Sequence, residues 1–224
     1  MISVIMSVFN NEDEVKHAIE SILNQDYKNF EFLIIDDAST DNTLNILLDL
    51  ENKFNNIRIF KNSENIGLTK SLNKLIESSN GEFIARQDAD DFSLPFRFSK
   101  QLSFLKNTTF SGCTTRTIIK NSSKIKPKFS IYPPKGLTLK FKNPYIHGSL
   151  LIKKNALLKV NKYNERFIYA QDYKLFRDLY EKKLNIGILK EPLYVLNTQN
   201  NISTKFHKEQ KYYADCVRRN KLPI

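Results

Sequence analysis

Two short acidic stretches carry the clearest chemistry in this 224-residue chain, Asp36-Asp37 and Asp88-Ala89-Asp90-Asp91. Carboxylates gathered in so short a turn repel one another unless solvent or a cation screens them. Oxygen-only donors suit a hard divalent ion such as Mg²⁺ or Mn²⁺, which keeps few protein ligands and completes its shell with phosphate oxygens. Each stretch also has a plainer reading. Asp88–Asp91 would serve as a solvated loop capping a helix that starts near Pro95, and Asp36-Asp37 with Ser39-Thr40-Asp41 would serve as a helix cap. Asp172, in Tyr169-Ala170-Gln171-Asp172-Tyr173, is a third candidate whose plain reading is a helix cap or first-turn acid. Three histidines are scattered. His17 falls on an exposed helix face and reads as structural, whereas His147, in Asn143-Pro144-Tyr145-Ile146-His147-Gly148-Ser149, enters a strand and could line a pocket.

The elements that must position these groups alternate in the first hundred residues. Ile2–Val8 is a short β-rich apolar run, as for a strand buried on both faces. Asn11 and Glu14 have capping-box spacing before a helix carrying Val15, Ala18, Ile19, Ile22 and Leu23. Phe30–Ile35 reads as a second strand, and Leu44, Leu47, Leu48 and Leu50 mark a second helix. Ile57–Phe60 is a third strand, Asn65-Ile66-Gly67 a turn, and 68–78 a helix that Gly81 would end. Phe83-Ile84-Ala85 opens a fourth strand. This alternation predicts a parallel sheet with right-handed crossovers, and both acidic stretches then fall at C-terminal strand ends, where open α/β sheets bind ligands. After Asp91 the rhythm changes to a helix with Phe98, Leu102 and Leu105, a strand within 108–119, and a polar segment at 120–135. A strand at Ile146–Ile152, a helix at Asp172–Lys183 and a strand at Ile186–Leu189 follow. No repeat or linker is visible, so one domain over 1–224 is expected.

Composition narrows the class. Six glycines, no Gly-Lys-Ser/Thr phosphate loop and no Gly-x-Gly-x-x-Gly fingerprint argue against an NTPase or a dehydrogenase. A diphosphate would then need a metal ion, helped by Lys or Arg. Cys113 and Cys216 are too few for a disulfide framework and read as reduced thiols. The formal charge of +11 attracts anionic partners. The apolar N-terminal run lacks a basic leader and is too short to span a bilayer, so a soluble or peripheral cytoplasmic protein is expected. The stretch Lys205–Lys221 mixes basic and aromatic residues and reads either as a membrane-surface segment or as a solvated terminal helix.

Taken in order, several segments resemble the family-2 inverting glycosyltransferases of GT-A fold, especially bacterial polysaccharide and lipooligosaccharide enzymes. They are Ser3–Asn10, Ser21-Ile22-Leu23-Asn24-Gln25, Ile34–Asp41, Asn65-Ile66-Gly67-Leu68, and Ala85–Asp91 leading into Leu94-Pro95 and Arg97. The resemblance is close over 1–105 and looser over 143–203. It implies a mixed, mostly parallel central sheet flanked by helices, with a nucleotide-binding half at 1–105, an acceptor half at 106–204 and a basic helix or tail at 205–224.

The same resemblance implies roles. Val8, Phe9, Asn10 and Asp37 would hold the donor base and ribose, with Asn65, Arg86, Asp88, Ala89 and Asp90 completing the donor site. Asp90 and Asp88 would bind Mn²⁺ or Mg²⁺, and Asp172 would be the general base. Gln171 stands where relatives carry Glu. Asn197 and Gln199 stand where many carry Arg and His, so Lys205, His207 or Lys208 would have to supply phosphate contacts there. The implied partners are a nucleotide-diphosphate sugar, UDP-linked in most of the family, and a carbohydrate or lipid-linked glycan acceptor. Peripheral contact with an anionic membrane is left open and nucleic acid is not expected. Two other readings remain at this point: a nucleotidyltransferase of similar sheet architecture, and a non-catalytic sugar- or nucleic-acid-binding module.

Overall fold

The computed structural model describes residues 1–128, 135–198 and 206–224. Gln199 and Lys205 lie outside the described residues, as does the rest of their loop. The strands are β1 (Ile2–Val8), β2 (Phe30–Asp36), β3 (Ile57–Lys61), β4 (Phe83–Arg86), β5 (Phe92–Ser93), β6 (Gly112–Ile119), β7 (Ile125–Lys126), β8 (Leu151–Lys153) and β9 (Ile186–Leu196). They form one sheet in the order β3-β2-β1-β4-β8-β6-β9-β5, with β7 on β6. The first four strands are parallel, β6 is parallel to β9, and β8 joins the two parts by antiparallel pairing to β4 and β6. Most paired residues therefore lie in parallel ladders.

The helices are α1 (Val15–Leu23), α2 (Thr43–Lys53), α3 (Leu68–Ser78), α4 (Arg97–Lys106), α5 (Lys135–Phe141), α6 (Lys154–Lys159), α7 (Gln171–Glu181) and α8 (His207–Arg218). Because side chains alternate along a strand, β1 and β2 feed two cores at once. Ile2, Val4, Met6, Val8, Phe32 and Ile34 pack with α1, α2 and α4. Ile5, Leu33 and Ile35 pack on the other face with α3, α5, α6, α7 and α8. Burial on both faces is what the unbroken apolar runs predicted.

Several local expectations are corrected. The Asn11/Glu14 capping box does not form: α1 starts at Val15 without a side-chain cap, and the Glu14 carboxylate instead accepts from Lys120 Nζ at 2.6 Å. Gly81 does not end α3. A Cβ there would lie 2.5 Å from the Ser3 backbone N, and its N–H donates to Ser3 Oγ at 2.7 Å, so the glycine permits a close backbone approach to β1. Leu48 is exposed, while Leu47 and Leu50 carry the buried face of α2. The strand expected at Ile146–Ile152 is a 3₁₀ turn, His147–Ser149, followed by β8. Ser149 Oγ closes that turn by donating to the Ile146 carbonyl at 2.9 Å. The short helix α5 had no sequence signal, since Gly136 and Thr138 break its apolar pattern.

Candidate active site

The C-terminal ends of β1 and β2 carry the first group of candidates. Asn10 has a left-handed backbone (φ 48°) and laces two loops together: its N–H donates to Ser39 Oγ at 3.0 Å, and its Oδ1 accepts from the Thr40 N–H at 2.8 Å. Val8 ends the strand with its carbonyl accepting from the Asp37 N–H at 2.8 Å, and Phe9 beyond it is exposed. The Asp37 carboxylate is largely engaged by its own chain. Oδ1 accepts from Asn62 Nδ2 at 2.7 Å and the Ile66 N–H at 3.0 Å, and Oδ2 from the Gly67 N–H at 2.9 Å. Asp37 thus anchors the turn that holds exposed Asn65, at the point where Gly67 takes φ 85°. The neighbouring Asp36 Oδ1 is buried without a hydrogen-bond partner among the described residues.

The end of β4 carries the second group. Arg86 is 1% exposed, and its Nη2 donates to Asp88 Oδ1 at 2.6 Å. Its guanidinium also bonds the Gln87 carbonyl, so the described contacts of this buried side chain run to its own loop. Asp88 is held from the other side as well, its N–H donating to Tyr194 Oη at 3.2 Å. Gly148 makes room for this carboxylate, since a Cβ there would lie 2.5 Å from Asp88 Oδ2 and against the Tyr194 hydroxyl. Asp90 is raised to about 6, first by burial and then by the Asp88 charge. Asp91 is raised well above its ordinary value by burial and by both neighbouring carboxylates. Its Oδ1 accepts from the Asn197 N–H at 2.7 Å, and its Oδ2 is buried without a partner among the described residues.

Asp90 and Asp91 line a cavity of about 500 Å³ together with Asp13, Glu14, His17 and Lys120. His17, read as structural, therefore stands at the acidic motif. Among the described residues no three acidic, His or Cys side chains converge into a ready-made metal cage. The donor set nonetheless fits a hard cation completed by phosphate: it is oxygen-only, mutually repelling, and includes one orphaned carboxylate oxygen.

The base candidate approaches from α7. Ala170, with φ 50°, turns the chain into that helix, and Asp172 Oδ2 accepts from Asn143 Nδ2 at 2.7 Å. Asn143 is itself fixed, its Oδ1 accepting from the Tyr145 N–H at 2.9 Å. Between Asp172 and the acidic motif sit His147 and Tyr163, with Nε2 and the hydroxyl oxygen 2.6 Å apart. His147 is lowered to about 4 by burial first and then by the Arg86 charge, against the pull of Asp172 and Asp88. Tyr163 is raised by burial and feels the same three charges. The fold thus brings Arg86, Asp88, His147 and Asp172 to one place. Ala89 packs against the α1 side of the core, Gln171 is buried, and His207 is exposed at the start of α8. Asn143, Gly148, Tyr163 and Tyr194 were not legible beforehand; only Gly148, a glycine inside an apolar stretch, hinted at a close approach.

Residues 3–180 match the family described as Glycosyl transferase family 2. The Escherichia coli protein WfgD, a UDP-Glc:alpha-D-GlcNAc-diphosphoundecaprenol beta-1,3-glucosyltransferase, is 27% identical over 97% of this chain and 85% of its own. Residues 1–349 of Staphylococcus aureus TarS in complex with UDP-GlcNAc superpose with TM-score 0.77 at 18% identity, covering 100% of this chain and 67% of that one. The chain spans only 39% of a longer TarS structure. A mannosyltransferase from Pyrobaculum calidifontis in complex with GDP-Man and Mn²⁺ superposes with TM-score 0.76 at 17% identity, over 99% of this chain and 65% of that one. The mixed sheet is the GT-A fold of these glycosyltransferases. The chain belongs to glycosyl transferase family 2.

Proposed function

We propose that this protein moves a hexose or N-acetylhexosamine from a nucleotide-diphosphate sugar, UDP being the first base to test, to a glycan or lipid-linked glycan, with inversion at the anomeric carbon. The observation that carries this reading is that Asp172, held by Asn143, and Asp88, held by Arg86, both come close enough to buried His147 to act on its charge. Asp172 takes the proton of the acceptor hydroxyl as that oxygen attacks. Asn143 holds the carboxylate that does so. Asp88 and Asp90 would hold Mn²⁺ or Mg²⁺, which when bound would offset charge on the departing diphosphate. Arg86 orients Asp88. Val8, Phe9, Asn10 and the Asp37-anchored turn with Asn65 border the base and ribose. The UDP and lipid-linked acceptor named for WfgD, and the UDP-GlcNAc complex of TarS, support the choice of donor base and acceptor class. The reading extends, on the resemblance alone, to cell-surface polysaccharide or lipooligosaccharide synthesis at the cytoplasmic face of the membrane. Among the described residues no helix is long and apolar enough to cross that membrane.

Isothermal titration with UDP tests the donor site. Binding is expected with Mn²⁺, is lost with EDTA, and is weakened in Asp90→Ala. UDP binding that ignores both the chelator and the substitution would remove the metal from this reading.

A further inference from the structure

Helix α5 buries Thr138 and Leu139 yet leaves Leu137 53% and Phe141 67% exposed. Four residues apart, these two side chains share one helix face. Tyr180 of α7, 41% exposed, extends the apolar surface, and its hydroxyl lies over Gly136. Lys140 on α5 and Lys142 just beyond it flank the face, with Lys182 and Lys183 on the chain after α7, all exposed. The nearby acids do not cancel this charge, because Glu181 is paired with Arg177 and Asp215 with Arg218. The same two arginines reach back to α5, donating to the Leu139 and Phe141 carbonyls, each at 3.4 Å. A firmly held short helix thus presents an aromatic and a leucine inside a basic rim.

Exposed apolar side chains within a lysine border match the chemistry of a membrane interface: the rim meets anionic headgroups and the apolar groups enter the acyl boundary. The net charge of +11 adds long-range attraction. We infer that the α5 face docks on an anionic lipid bilayer, with Phe141 and Leu137 as the inserted groups. This adds a membrane contact in the middle of the chain to the one the sequence offered at Lys205–Lys221. It also has a consequence for the site. Asn143, two residues beyond α5, donates to Asp172. Docking there brings the base to the bilayer surface, where a lipid-linked acceptor would be met; that last step, unlike the docking, rests on the glycosyltransferase reading.

The test is flotation of the full chain with phosphatidylcholine vesicles, with and without phosphatidylglycerol, in the absence of nucleotide and sugar. Binding is expected only to the anionic vesicles. The double variants Leu137→Ser/Phe141→Ser and Lys140→Glu/Lys142→Glu should each bind about tenfold more weakly. A charge-matched control at the ends of α2 and β3, Lys53→Glu/Lys61→Glu, should stay within about twofold. Melting temperatures and UDP titration show whether each variant is folded, so a failed donor site and a failed docking surface are told apart. The inference is overturned by wild type that ignores anionic vesicles, by α5 variants that bind as well as wild type, or by a control that loses as much. It is equally overturned if the α5 variants abolish a dimer or binding to single-stranded RNA while vesicle binding was never present.

Discussion

At the scale of single residues, Asp172 and Asp90 separate by what surrounds them. Asp172 is held by one amide donor, so Asp172→Asn preserves the shape and a hydrogen-bond acceptor while removing the base. Transfer is expected to fall by roughly 10²–10⁴-fold, with UDP affinity unchanged. Unaltered turnover would exclude Asp172 as the base. Burial, and after it the Asp88 charge, lifts Asp90 from 3.8 to about 6. The unfolded chain therefore releases this proton at lower pH than the folded chain does. Stability from this group is present below about pH 4, is lost as pH rises toward 6, and stays lost above that. Asp90→Asn removes the cost, so a gain on the order of 2 kcal/mol is expected at neutral pH in EDTA, shrinking toward zero near pH 4. Thermal melts at both pH values check it; a gain that persists in acid would assign the effect to something other than charge.

At the scale of elements, the 3₁₀ turn before β8 decides where the acidic motif can sit. Gly148 within it lies directly against Asp88, in the turn after β4, and Tyr194 of β9. Gly148→Ala should push the Asp88 carboxylate out of place. A displacement of about 1 Å at such a centre costs on the order of 10²-fold in kcat/KM, a larger effect than the loss of stability measured in the same preparation. Wild-type kinetics in Gly148→Ala would mean that Asp88 has freedom this packing denies it. The β1–α1 and β2–α2 loops are coupled in a similar way through Asn10, so this edge of the sheet is one interlocked surface.

At the scale of the whole molecule, a buried polar layer joins the two parts of the sheet beneath the site. Arg97 of α4 is fully buried between the rings of Phe98 and Tyr194. Its guanidinium donates to Ser93 Oγ at 2.6 Å, the Arg86 carbonyl at 2.7 Å, Gln101 Oε1 at 3.1 Å and Gln87 Oε1 at 3.2 Å. Burial pushes Arg97 down to about 10, which leaves it charged at neutral pH. Gln25, in the Asn24-Gln25 motif, plays the matching part on the α1 side, donating to the Leu94 carbonyl at 2.9 Å. Lysine has three donors and no planar fork, so Arg97→Lys should strand several of these acceptors and cost about 2–4 kcal/mol, read as a lower urea midpoint. A midpoint within error of wild type would mean the layer is satisfied without the fork.

The parallel half was legible residue by residue because its information is local. Apolar runs of strand length, helical spacing and acidic strand ends all follow from the chain's own periodicity. The family, the GT-A fold and the acidic motif were therefore readable from ordered segments within 1–105. What the sequence could not contain is which distant groups meet. Asn143 on Asp172, Tyr163 on His147, Gly148 under Asp88 and Arg177 capping α5 are contacts across long stretches of chain, chosen by packing. The failed capping box and the misplaced role of Gly81 have the same origin: Glu14 found Lys120, and β1 came close enough to exclude a side chain. Residue types and periodicity determined the elements and the kind of chemistry at their ends; the free energy of packing those elements together decided which carboxylate is held, which is strained, and which face of the molecule is left apolar.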